Sequence, residues 1–216
     1  MPLIDDLVQE GWLKTRRIIQ AFEKIKRADF MPEDMKSMAE LNEALPIGFG
    51  QTISQPLVVA FMLEQLQPEP GDKILDVGSG SGWTSALLAY IVNSKNFHTS
   101  KHGSFVGEII AIEAVPELKE FGEKNIAKYN YIEKGIAKFV CADGSKGYEK
   151  EAPFDKILCS AAVQREVPRA WKEQLKIGGR IVTPIGSSIW LLIKKGEDDF
   201  EKTEYPGFSF VPLIET

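Results

Sequence analysis

The sequence is short of several things that would mark a specialised chain. Of its 216 residues only two are cysteine, Cys141 and Cys159, and each lies in an apolar stretch. That is too few for a disulfide framework or a zinc centre, so no metal is expected. Histidine is equally scarce: His98 and His102 both fall in one polar stretch, a poor setting for a rigid general base. Basic residues are not in excess, and the net charge of −5 argues against a nucleic-acid partner, which needs cations to displace counterions. Long apolar runs are missing too. None is longer than residues 86–92, far below the ~20 residues of a membrane span, so no membrane partner is expected. Residues 1–6 lack a basic region leading into an apolar one, so no signal peptide is expected and the location expected is cytoplasmic. What remains is ordinary: 44% hydrophobic and 26% charged residues, enough to bury a full core.

The chain carries no repeat. Apolar residues at three- and four-residue spacings (Leu3, Leu7, Val8, then Ile18, Ile19, Phe22, Ile25) predict helices in the first quarter, with Thr15 as N-cap of the second. Pro32 ends that run. Residues 44–56 show no period and read as loop, and Pro56 then opens a helix through Leu66. From residue 71 strands and helices alternate. Strands are expected at 73–77, 108–113, 137–141, 154–159 and 180–184, with helices at 83–92, 115–129 and 167–175. Such alternation predicts an α/β fold: a Rossmann-like, mainly parallel seven-stranded sheet with helices on both faces. Segments 189–194 and 208–213, separated by a polar stretch at 195–207, suggest a C-terminal antiparallel strand pair. The expected organisation is an N-terminal helical and substrate-loop extension (1–70) packed on a ligand-binding domain (71–216). Residues 93–104, small and polar, read as an inserted surface loop.

Asp76-Val77-Gly78-Ser79-Gly80-Ser81-Gly82 follows a strand and opens a helix. A dinucleotide fingerprint would have its third glycine where Trp83 stands, and a phosphate-binding P-loop needs a lysine that is absent here. An acidic residue followed by alternating glycines is the loop of class I S-adenosylmethionine-dependent methyltransferases, whose cofactor has no pyrophosphate. Two further carboxylates close later strands: Glu113, suited to ribose hydroxyls, and Asp143, beside the expected adenine. Glu113 lies 37 residues after Asp76, against the ~20 usual for such folds, and the inserted loop accounts for most of the excess. Taken singly, each carboxylate could be a helix cap or a turn residue.

Acceptor classes differ in what they demand. Amide or base nitrogen methylation commonly brings an Asn/Asp-Pro-Pro-aromatic motif after the fourth strand, where this chain has Cys159-Ser160-Ala161-Ala162. Cytosine C5 methylation needs an activated cysteine, and a buried structural thiol is the plainer reading of Cys159. Hydroxyl methylation wants a base or a metal. A carboxylate, with a pKa of ~4, arrives ionised and asks only for alignment and exclusion of water. Trp83, Trp171 and Trp190 read as packing residues.

Leu45-Pro46-Ile47-Gly48-Phe49-Gly50-Gln51-Thr52-Ile53-Ser54-Gln55-Pro56 resembles the signature segment of the protein-L-isoaspartate O-methyltransferase family. Further matches follow in order: residues 27–32, 76–82, 142–148, 151–157, 174–182, 184–186 and 210–213, so the resemblance spans nearly the whole chain. It implies a repair enzyme, probing damaged proteins and peptides in solution as a monomer. The enzyme would methylate the free α-carboxylate of L-isoaspartyl residues with S-adenosyl-L-methionine, leaving S-adenosyl-L-homocysteine. It implies Ser54 as the active-site residue, read here as a donor orienting the carboxylate, with helix capping as its plainer role. Gln51, Thr52, Ile53, Ser54, Ser160 and Ala161 would meet the substrate, and Asp76, Gly78, Ser79, Gly80, Gly82, Glu113, Ala114, Asp143 and Gly144 the cofactor. Val59, where some members carry histidine, and Cys159-Ser160 depart from the family pattern. Two alternatives stay open: a related methyltransferase acting on another carboxylate or a small molecule, and a catalytically silent cofactor-binding module.

Overall fold

The computed structural model describes residues 2–93 and 106–215. The expected insertion at 93–104, with both histidines, lies outside the described residues except for Asn93. Helices α1 (Pro2–Gln9) and α2 (Arg16–Lys24) open the chain, followed by two 3-10 turns, Arg27–Phe30 and Glu33–Met38. Thr15 is the N-cap residue of α2, but its hydroxyl makes no cap bond. It donates instead to Glu64 Oε2 at 2.7 Å, while Glu64 Oε1 accepts from the Lys14 and Thr15 amides, both at 2.8 Å. A carboxylate from a distant helix thus anchors the two residues that lead into α2.

The segment expected as loop at 44–56 contains a hairpin, β1 (Leu45–Gly48) and β2 (Gln51–Ile53), paired antiparallel with Leu45 opposite Ile53. Pro46 and Gly48 break the alternation that would have announced it. The turn places Phe49 and Gly50 at φ 53° and 70°, the left-handed pair that a tight hairpin turn requires. Helix α3 (Pro56–Leu66) follows.

The main sheet then alternates strand and helix: β3 (Lys73–Val77), α4 (Trp83–Val92), β4 (Glu108–Glu113), α5 (Pro116–Ala127), β5 (Ala137–Cys141) and β6 (Phe154–Cys159). After β6 come α6 (Arg169–Gln174), β7 (Leu175–Ile185), β8 (Ser188–Lys194) and β9 (Phe200–Pro206). Strand order is β5-β4-β3-β6-β7-β8-β9, parallel through β7 and antiparallel for the last two. The expected final strand at 208–213 is therefore corrected: the partner of β8 is β9, within the stretch read as a polar connection. β9 is an edge strand, exposed at most positions, and charged side chains there guard the edge while hiding the apolar alternation. Helices α5 and α6 are shorter than expected, because Pro116 and Pro168 set their starts, and β7 is longer.

Both faces of the sheet are covered. Ile74, Ile109 and Leu158 join one core with Leu7, Ile18 and Phe22 of the N-terminal helices and Leu87 of α4. Leu75, Val77, Ile110 and Ile112 join the other with Trp171 of α6. Strand alternation thus turns Asp76 toward the α4 side. Among the described residues no helix is long and apolar enough to cross a membrane.

Candidate active site

From β3 the chain crosses to β4 on one side and later to β6 on the other, so a crevice opens at the tip of β3, the switch point of the sheet. The turn leaving β3 holds Gly78, Gly80 and Gly82 at φ 71°, 52° and 86°, conformations that side chains disfavour. The amides of Gly78 and Ser79 donate to Ile112 O at 2.9 and 3.0 Å, tying the tips of β3 and β4 together. Gly82 serves packing: a Cβ there would stand 2.9 Å from Gly122 O of α5.

Glu113 closes β4, nearly buried at 6% exposure. Its Oε2 accepts from Gly80 N at 2.8 Å and its Oε1 from Val115 N at 3.0 Å. Two backbone amides pin the carboxylate across the crevice and leave lone pairs on both oxygens for hydroxyl donors. Asp76 is fully buried. Its Oδ2 accepts from Ser85 Oγ at 2.6 Å, and its Oδ1 has no partner. Burial pushes its pKa up to about 7; hydrogen bonds from Ser85 and Thr84 oppose the shift and the Glu113 charge adds to it. Ser79 Oγ and Trp83 Nε1 are also buried without partners. Orphaned polar atoms around one loop are the mark of a site built for a polar ligand.

An open cavity occupies the crevice. Gly78, Ser79, Gly80, Glu113, Ala114 and Gly144 of the expected cofactor set line it. So do Gln51, Thr52, Ile53, Ser54, Ser160 and Ala161 of the expected substrate set. Asp76, Gly82 and Asp143 do not reach the lining. Asp76 lies behind the wall. Asp143 caps its own turn, its Oδ1 accepting from Ser145 N at 3.0 Å and from Ser145 Oγ at 2.7 Å, with Lys146 Nζ 3.0 Å from Oδ2. Gly144 is set in place by Trp171, whose Nε1 donates to Gly144 O at 2.8 Å. A Cβ on Gly144 would stand 2.4 Å from Val77 Cγ1.

An open groove adjoins this cavity and shares Thr52, Ser54, Ser160 and Val211 with it. Ser54 therefore stands on the boundary between the two. The capping role considered for Ser54 belongs elsewhere: Gln55 is the N-cap residue of α3, and Asn42 Oδ1 accepts from Leu57 N at 3.0 Å. Among the described residues lining cavity and groove, Glu113 is the one ionisable side chain.

Several lining residues lay outside the sequence expectation. Residues 211–214 cross the strand tips, held by Ala162 N to Val211 O and Leu213 N to Ala162 O, both 2.8 Å. Nothing in a non-periodic tail containing Pro212 signals that path. Trp83 packs edge-to-face on Phe22, centroids 5.6 Å apart, and also lines the cavity. Val59 lines it too, so its departure from the family pattern falls within the site. Cys159 is buried, donates to Ala161 O at 3.1 Å, and has its pKa pushed up to about 12 by burial. It is no nucleophile at neutral pH. Cys141, expected in an apolar setting, is exposed, because β5 is the other edge strand. Among the described residues no group of three His, Cys, Asp or Glu is gathered for a metal.

Comparison with known proteins gives a consistent result. The family model described as protein-L-isoaspartate(D-aspartate) O-methyltransferase matches residues 1–216. A protein-L-isoaspartate O-methyltransferase of Methanopyrus kandleri is 38% identical, covering 98% of this chain and 89% of its own. One from Aeropyrum pernix is 40% identical, covering 98% and 78%. Among solved structures, a Plasmodium falciparum protein superposes with a TM-score of 0.84 at 23% identity, covering 100% of this chain and 98% of its own. It is described as a candidate protein-L-isoaspartate O-methyltransferase in complex with S-adenosyl-L-homocysteine. A second, a protein-L-isoaspartate O-methyltransferase, superposes at 0.83 with 25% identity, covering 98% of this chain and 64% of its own.

Proposed function

The chain belongs to the protein-L-isoaspartate(D-aspartate) O-methyltransferase family, and from that premise we infer that it methylates the α-carboxylate of L-isoaspartyl residues in damaged proteins and peptides. The observation that carries this reading is the poverty of the cavity in ionisable groups. Its one carboxylate, Glu113, is held by two amides, and the buried thiol of Cys159 keeps its proton. An acceptor that must be deprotonated finds no base among the described residues of the lining. A carboxylate needs none, because it is already ionised at pH 7.

S-adenosyl-L-methionine, when bound, supplies the electrophilic methyl group. The residues around it suit its parts. Glu113 would take the ribose hydroxyls on the lone pairs that Gly80 and Val115 leave free. Ile112, Ala114 and Gly144 offer an apolar wall for the adenine, and the orphaned Ser79 hydroxyl offers an acceptor at the glycine loop for an ammonium group, with the carboxyl of Asp76 adding its charge from behind the wall. Gly82 and Asp143 act behind this wall, one by packing and one by shaping the turn that carries Gly144. On the other side Ser54 donates to the acceptor carboxylate from the boundary of cavity and groove. Thr52 and Ser160 add hydroxyls, while Gln51, Ile53 and Ala161 close the space around the transferring methyl. Catalysis then consists of alignment and water exclusion. The ester formed is primed to reclose to succinimide, which returns part of the damage to normal aspartate. The reading is of a monomer acting on polypeptide, the net charge of −5 arguing against nucleic acid.

The test is transfer of labelled methyl from the cofactor to a matched pair of peptides, one isoaspartyl and one aspartyl. Base-labile label on the isoaspartyl peptide alone is the expected result. Cofactor binding with label on neither peptide would assign the chain to a different acceptor.

A further inference from the structure

Arg27 lies outside the cavity and is 6% exposed. Its guanidinium makes no ion pair among the described residues. It donates instead to four backbone carbonyls: Nη1 to Ala39 O at 3.3 Å and Leu41 O at 2.9 Å, Nη2 to Glu43 O at 2.6 Å and Ser54 O at 3.1 Å. The same group lies over the indole of Trp83, 5.4 Å from the ring centroid. Burial lowers its pKa to about 10, with the Glu40 charge opposing, so it remains a cation at neutral pH. A buried cation is costly unless its donors are used, and here both Nη atoms are used while Nε has no partner. Here a planar fork reads carbonyls from two separate segments at once, which the point charge of lysine cannot do.

Those carbonyls are not arbitrary. Ser54 and Trp83 both line the cavity, and residues 39–43 are bonded to the start of α3 a second time, through Asn42 Oδ1 and Leu57 N. Arg27 and Asn42 thus fasten residues 39–43 to residues 54–57, on either side of the serine at the boundary. We propose that Arg27 is a positioning residue for the methyl acceptor: it holds the Ser54 carbonyl, and so fixes where the Ser54 hydroxyl stands between cavity and groove. This rests on the reading of Ser54 given above.

The experiment uses the full-length Arg27→Lys and Asn42→Ala variants with three measurements. Amide exchange follows residues 51–57 against the glycine loop at 78–82. Calorimetry follows S-adenosyl-L-homocysteine binding. Steady-state kinetics follow an isoaspartyl peptide. In Arg27→Lys, exchange at 51–57 speeds up while 78–82 stays protected, and homocysteine-product affinity holds within about twofold. Because a small misplacement of an acceptor is costly, kcat/KM for the peptide falls by up to about a hundredfold, through both kcat and KM. Asn42→Ala shifts the same readouts in the same direction by less. Faster exchange throughout the chain, with weaker product binding and an unchanged peptide KM, would reduce Arg27 to a stability residue and overturn the proposal. If Arg27→Lys does not fold, Asn42→Ala decides alone: unchanged exchange at 51–57 refutes the clamp. If the wild-type chain fails to methylate the peptide, the functional reading fails, while exchange and product binding still decide whether Arg27 holds this segment.

Discussion

The two walls of the cavity are made by different means. The wall on the sheet side is built by local sequence: β3, its glycine turn and the end of β4 lie within residues 73–114, and backbone amides fix the key carboxylate. The facing wall is assembled from residues 51–54, 160–161 and 211–214. Its order depends on ties reaching across the fold: the side chains of Arg27 and Asn42, and the backbone bridge from Ala162 to the tail. One wall follows from strand geometry; the other depends on tertiary ties. Changes on the first should therefore act on cofactor binding and changes on the second on the acceptor, and each prediction below can break that division.

The largest effect is expected from Gly82→Ala. The residue sits at φ 86°, and an added Cβ would meet Gly122 O at 2.9 Å. Strain and overlap together should cost about 2–4 kcal/mol, which lowers the melting temperature by roughly 4–16 °C for a chain of this size. Calorimetric melting checks it, and an unchanged melting point would show that loop and helix can move apart freely.

Next come paired variants that oppose the walls. Glu113→Ala should weaken S-adenosyl-L-homocysteine binding by about a hundredfold, as loss of a charged acceptor implies, with the peptide KM unchanged at saturating cofactor. Ser54→Ala should leave product binding within about twofold and lower kcat/KM for the isoaspartyl peptide by about ten- to a hundredfold. If each variant damages both quantities equally, the walls are not separable.

The pH dependence sharpens the sheet-side wall. Asp76 has its pKa raised from 3.8 to about 7 by burial. Between those values the folded chain keeps a proton that the unfolded chain has released, so its contribution to stability is present at low pH and declines as pH rises through that window. Ligand-free melts from pH 5 to 8 should show this decline, and Asp76→Asn should flatten it. Binding of the cationic methyl donor should move the opposite way, tightening as pH rises through 7, because the ammonium group favours the ionised carboxylate. Parallel slopes for wild type and Asp76→Asn would remove Asp76 from the site.

The same contrast explains what could be read from the chain alone. The alternation of buried strands with helices made the parallel sheet legible, and glycine spacing after β3 located one wall, because both are consequences of local periodicity. The hairpin at β1 and β2 was hidden by Pro46 and Gly48, and β9 by the charged residues an edge strand carries. The tail at 211–214 has no period at all. Glu64 anchoring the entry to α2 and Asn42 capping α3 are long-range bonds, invisible to any local pattern. Arg27 stood in a recognisable motif, yet its four carbonyl partners exist only once the chain is folded.

The smallest effect concerns the two thiols, which sit beside opposite walls. Cys159 is buried, with its pKa pushed up to about 12, beneath Ser160 and Ala161 of the acceptor wall. Cys141 is exposed at the tip of β5, its Sγ 3.8 Å from Ala114 O at the rim of the cofactor wall. Iodoacetamide at neutral pH should therefore label the folded protein once, at Cys141, since it is exposed while Cys159 is buried and keeps its proton. The added group would crowd Ala114 and raise KM for the methyl donor by about twofold, a cost of a few tenths of a kcal/mol. The peptide KM should not move, because the contact of Cys141 is with Ala114 on the cofactor wall. Mass spectrometry of the labelled protein and kinetics with each substrate varied in turn check both parts. A labelled Cys159, or a shift in the peptide KM alone, would mean that the facing wall opens in solution more readily than its ties to Arg27 and Asn42 allow.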